Sequence, residues 1–198
     1  MNELYEALKG LTDIPLAILS AICGILLFKI KLKHKSIFFF SISVTAVMGT
    51  VVHVFSFSKL TKNLIWLFLY LLFYESIRRF TLLFLSLLKG TTNKKFLFVC
   101  EIILYLITVV IMFTGLGFDM IILCVYSAIC ICILFAALLK CRPLPKKIIG
   151  FLMLPSAAAI FQALRSFIPY SAVIAHGILF TAILIFYFIV KENNTDRI

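Results

Sequence analysis

The chain reads as an all-α, polytopic transmembrane bundle of seven helices with its N-terminus outside and its C-terminus cytoplasmic. Three observations predict this: a 64% hydrophobic composition, seven long apolar stretches, and basic residues that fall on alternate loops. A soluble domain of 198 residues cannot cover that much apolar surface, whereas lipid solvates it. A spanning helix needs about 20 apolar residues. Segments that meet or approach this are Ile14–Ile30, Ile37–Phe57, Asn63–Leu88, Phe96–Thr114, Phe118–Leu139, Ile148–Phe167 and Ser171–Val190. The connectors are short, with no internal repeat and no Pro- or Ser-rich linker, so residues 1–198 are expected to form one membrane domain. The first span is followed by further spans and lacks an A-x-A-like site, which favours a retained helix over a cleaved leader.

Charge orients the bundle. On one side lie Lys29, Lys31, Lys33, Lys35, Lys89, Lys94, Lys95, Lys140, Arg142, Lys146, Lys147, Lys191 and Arg197. The other side carries only Lys9, Lys59, Lys62 and Arg165. Basic loops stay cytoplasmic, and the alternation holds only with seven spans. The net charge of +11 is then a lysine fringe facing anionic lipid headgroups, and membrane lipids rather than nucleic acid are the expected partners. Aromatic residues interleaved with basic ones on a soluble face, which would suit nucleic acid, are missing. The abundance of Phe, Ile and Lys fits a bacterial cytoplasmic membrane protein.

Of six cysteines, Cys23, Cys100, Cys124, Cys130 and Cys132 fall inside spans and Cys141 at a cytoplasmic end. None is placed for an outer-loop disulfide. Cys130 and Cys132 diverge by roughly 200° around a helix and cannot share one metal. They read as small, soft core residues.

Polar groups inside spans carry more information, because lipid tolerates them at a cost. His53 lies about one turn from the outer end of the second span, and His176 at similar depth in the seventh. Gln162 and Arg165 share a face near the outer end of the sixth, Asp119 begins the fifth, and Asp13 precedes the first. His34 sits in a lysine loop and reads as solvated. Ser41, Thr45, Gly49 and His53 recur every fourth residue, a row of small residues that lets a neighbouring helix approach and whose hydroxyls can bond across. Such a row is either a packing seam or a face that delivers an imidazole to a cavity, where it can bind metal or move protons. In the third span Glu75 precedes Arg78 by three and Arg79 by four, the spacing of an intrahelical ion pair, and Glu101 in the fourth could join it.

Thr12 and Asp13 opening the first span, Gly49 through His53 closing the second, Trp66, Gln162 and His176 together resemble the CREST superfamily of alkaline ceramidases and adiponectin-receptor-like hydrolases, above all its uncharacterised bacterial members. The resemblance covers the whole chain. It implies a zinc ion held by His53 and His176, which would activate water for attack on a lipid amide or ester. It also implies a second seventh-span histidine, a serine four residues before His53, and a third-span acid. Phe180 and Gly49 stand at the first two positions, and Glu75 is the only acid in the third span. Two imidazoles fall short of the three protein ligands usual for catalytic zinc, although Asp13, Asp119 or Gln162 could add an oxygen. The expectation is a divergent relative of zinc-dependent hydrolases with tentative metal ligands His53 and His176, pocket polar residues Thr50, Asp119, Gln162 and Arg165, and an ion pair of Glu75 with Arg78 and Arg79. A non-catalytic module binding a lipid, a partner membrane protein or a second copy is the alternative. A small transporter, suggested by Pro155, Gly115 and Gly117 as helix interruptions, is the third.

Overall fold

A computed structural model describes residues 2–88, 94–114, 119–140, 157 and 171–195. Six α-helices lie within them: α1 (Asn2–Lys29), α2 (Lys33–Val54), α3 (Lys59–Leu87), α4 (Lys94–Thr114), α5 (Asp119–Lys140) and α6 (Ser171–Thr195). Among the described residues there is no strand. All but α3 are long and apolar enough to cross a membrane, which is the architecture of an integral membrane protein. α3 has the length, at 29 residues, but carries Glu75, Arg78 and Arg79 in its second half. The expected sixth span, Ile148–Phe167, lies outside the described residues except for Ala157.

Helix ends depart from the expected spans for local reasons. α1 starts at Asn2, well before Ile14, and continues through Pro15. Proline deletes only the hydrogen bond to the carbonyl four residues back, and tertiary packing carries the helix past it. Thr12 and Asp13 are therefore helical residues within the turn before the proline and do not precede the helix. α2 stops at Val54, three residues short of expectation, because Phe55 turns to extended backbone. α3 begins earlier than Asn63 because the Ser58 hydroxyl caps it, accepting the Thr61 N–H at 3.2 Å.

The described chain forms two compact units. The first contains α1, α2 and α6. Gly10, Asp13, Leu16, Ala17, Ser20, Cys23, Gly24 and Leu27 are all buried along α1, a stripe at helical spacing. A tight turn sends α2 back along it. Gly24 meets the Phe40 ring, and the Ser43 hydroxyl donates to the Ala17 carbonyl at 2.9 Å. Toward that turn, Phe38, Phe39, Phe186 and Tyr187 tile α2 against α6, with Phe38 and Phe186 edge to face at 5.4 Å.

The second unit contains α3, α4 and α5. Its core is Tyr70, Tyr74, Leu97, Leu123, Tyr126 and Cys130. Tyr74 hydrogen-bonds the Thr108 hydroxyl at 2.9 Å, so a helix pair is joined by a polar contact inside an apolar core. Cys130 is buried while Cys132 is exposed, the divergence their spacing requires. Cys141 lies outside the described residues.

Candidate functional site

The seam between α1 and α2 is tightly packed at the end away from their turn. A Cβ at Gly10 would lie 2.8 Å from Val54 Cγ2 and 3.2 Å from His53 Cβ. Thr50 sends its hydroxyl across the seam to the Gly10 carbonyl at 3.0 Å, as well as to Ala46 in its own helix. One turn further, Asp13 lies directly against Gly49: its Oδ2 is 2.6 Å from where a Cβ would stand.

The expected row of Ser41, Thr45, Gly49 and His53 thus does include the close approach, at Gly49 and His53. Its hydroxyls bond within their own helix. Ser41 donates to Phe38 O and Thr45 to Ser41 O, both within α2. A helical hydroxyl finds the carbonyl three or four residues back without any partner helix, and that local bond wins. The bonds that cross the seam come from Ser43 and Thr50, in the adjoining rows.

His176 approaches the same turn of α1 from α6. Its Nδ1 is 2.8 Å from the Thr12 hydroxyl and 3.4 Å from Asp13 Oδ1. Asp13 is buried and His176 is mostly covered. The four residues from Gly10 to Asp13 therefore meet His53 through Gly10 and His176 through Thr12 and Asp13. His176 thus brings its imidazole to this turn of α1, and His53 brings its Cβ to the same turn. Sequence reasoning underused Asp13 by placing it before the helix. The signal was present: Gly10, Asp13, Ala17, Ser20 and Gly24 repeat every three or four residues, a small-residue stripe with one carboxylate in register.

Of the remaining expected pocket residues, Gln162 and Arg165 lie outside the described residues. Asp119 is the first residue of α5, in the second unit.

Whether this polar end fits a zinc ion depends on its donors. Engagement of His176 Nδ1 by a hydroxyl and a carboxylate is how a metal-ligating imidazole is commonly oriented through its other nitrogen. The rest of the set does not follow. Phe180 lies one turn after His176, the space beside Gly49 holds the Asp13 carboxylate, and among the described residues no three His, Cys, Asp or Glu come together to hold a metal. The described donors do not make a zinc centre.

The second unit holds the expected ion pair and extends it. Arg78 donates from Nε to Glu75 Oε2 at 3.1 Å and also from its terminal nitrogen, while Arg79 Nε pairs with Glu75 Oε1 at 2.5 Å. Arg78 reaches across to Glu101 on α4 at 2.5 Å and lies over the Phe98 ring. Two carboxylates and two guanidiniums form a neutral cluster, and Glu101 in it is only 5% exposed. Mutual neutralisation is what lets four charges sit within apolar helices.

No curated protein and no solved structure matches the chain. A family profile matches it from residue 8 to residue 195, nearly its full length. On that match, the chain belongs to the family of unknown function DUF6962.

Proposed function

We propose that the protein is a divergent relative of the CREST hydrolases that has exchanged hydrolysis for binding. It is a single seven-helix membrane module, and its polar end accepts the head of a lipid or other small amphiphile. One observation carries this reading: Thr12 and Asp13 hold His176, and the Asp13 carboxylate fills the place that a serine side chain would take at position 49. Hydroxyls of Thr12 and Thr50, the His176 imidazole and a carboxylate make a hydrogen-bonding surface suited to a polar headgroup, with apolar helices for its chain. The lysine asymmetry supports an outside N-terminus, and the abundance of Phe, Ile and Lys supports a bacterial cytoplasmic membrane. On that orientation the polar end opens to the outer leaflet.

The test is to purify wild type, His53→Ala and His176→Ala in mild detergent, then to assay metal content and co-purifying amphiphiles. The reading expects an amphiphile retained by wild type and depleted in His176→Ala, with zinc far below one equivalent. Stoichiometric zinc that disappears in His53→Ala would overturn it in favour of a metal-dependent amide or ester hydrolase.

A further inference from the structure

The opposite end of the first unit carries a feature that the polar cluster does not use. α1 ends in a Schellman motif: Leu32 N–H bonds Leu27 O at 2.9 Å and Lys31 N–H bonds Phe28 O at 3.0 Å. This motif needs one residue in the left-handed region, normally glycine. Here it is Lys31, at φ 64°. A lysine there pays a steric penalty that glycine avoids. Its presence at so unfavourable a position raises the question of what work the side chain does.

The surroundings say what work. Lys29, Lys31 and Lys33 are exposed within five residues, and the chain holds no carboxylate from Ile14 to Tyr74. Lys33 is held with Nζ 5.6 Å from the Phe28 ring centre. Beside the ammonium groups, Phe28 is 52% exposed, Ile30 48% and Ile37 40%. Cationic heads thus lie next to uncovered apolar side chains, at the ends of two helices built to cross a membrane. A free anion would match only the first half of that surface. A phospholipid matches both.

We propose that the α1–α2 turn is a docking site for an anionic phospholipid, with Lys31 and Lys33 on the headgroup phosphate and Phe28, Ile30 and Ile37 along the acyl chain. Lysines present only to set membrane orientation would need neither the strained backbone position nor a lipid preference. The site is separate from the polar end of the unit and stands or falls independently of it.

The full-length protein, delipidated in detergent, is titrated with phosphatidylglycerol and with phosphatidylcholine, and retained lipid is counted by native mass spectrometry. Wild type is expected to prefer phosphatidylglycerol. That preference should fall about fivefold for each lysine lost in Lys31→Gln and in the Lys31→Gln, Lys33→Gln double variant. Lys31→Gly should show the same fivefold fall in preference as Lys31→Gln while melting at a higher temperature in lipid-free detergent, a split that a purely structural residue cannot give. An unchanged preference in the folded double variant overturns the proposal and leaves the lysines a topological role alone. Displacement of phosphatidylglycerol by millimolar inorganic phosphate also overturns it, reassigning the turn to free anions.

Discussion

The carboxylate of Asp13 lies against Gly49, with Oδ2 2.6 Å from the point where a Cβ would be added. That approach joins α1 to α2 at the same turn where Thr12 and Asp13 meet His176 of α6. Three helices are registered against each other by one residue without a side chain and one with a charge.

Substitution of Gly49 by alanine should therefore be costly despite its small size. The added methyl must push Asp13 away from His176 or part the helices, a strain of about 1–3 kcal/mol. Thermal melting in detergent of Gly49→Ala, Asp13→Ala and the double variant checks this. The double variant should be less destabilised than the sum of the singles, because removing the carboxylate makes room for the methyl. Strict additivity would contradict the contact.

His176→Ala removes the partner of a buried carboxylate and a hydroxyl. Its expected cost is about 1–3 kcal/mol, the penalty for leaving a buried polar group unsatisfied. Replacing Asp13 by Asn in that background should recover part of the loss, since a neutral amide is cheaper to bury than an unpaired carboxylate. The same melting series reads the result.

In the second unit, Arg78 bridges Glu75 and Glu101, whereas among the described residues Arg79 forms an ion pair only with Glu75 and is the more exposed of the two. Arg78→Ala should be the most damaging single change in the cluster, at about 3–5 kcal/mol for breaking a buried pair. Arg79→Ala should cost much less. Arg78→Met with Glu101→Leu should recover most of the stability, as matched apolar replacement of a buried pair often does. If Arg79→Ala proved the worse variant, the bridging role assigned to Arg78 would be wrong.

Thiol accessibility distinguishes the cysteine positions. A lipophilic alkylating probe should label Cys124 and Cys132, which are exposed on α5, and spare Cys23 and Cys130 until the protein is denatured. Peptide mapping by mass spectrometry reads each site. Rapid labelling of Cys130 in the native protein would be incompatible with its place in the core.

Much of the fold was legible because lipid imposes its rules on sequence directly. Apolar runs marked α1, α2, α4, α5 and α6, since an unsatisfied backbone cannot face hydrocarbon. The spacing of Glu75 with Arg78 and Arg79 announced their pairing, since residues three and four apart share a helix face. The repeat of Gly49 and His53 marked where α2 meets a neighbour.

What the linear pattern did not contain was which partner each polar group would choose. Asp13 was legible as an acid near a span end, but only packing put it on Gly49 and His176, residues 36 and 163 positions away. Ser41 and Thr45 looked equipped to bond across the seam, and each also donates to a carbonyl of its own helix. The reach of Arg78 to Glu101 likewise depends on how α3 and α4 pack. Periodicity and hydropathy are properties of one helix and its solvent, so sequence alone determined them. Contacts between helices depend on rotation and approach set jointly by every side chain at the seam, and those only the tertiary structure decided.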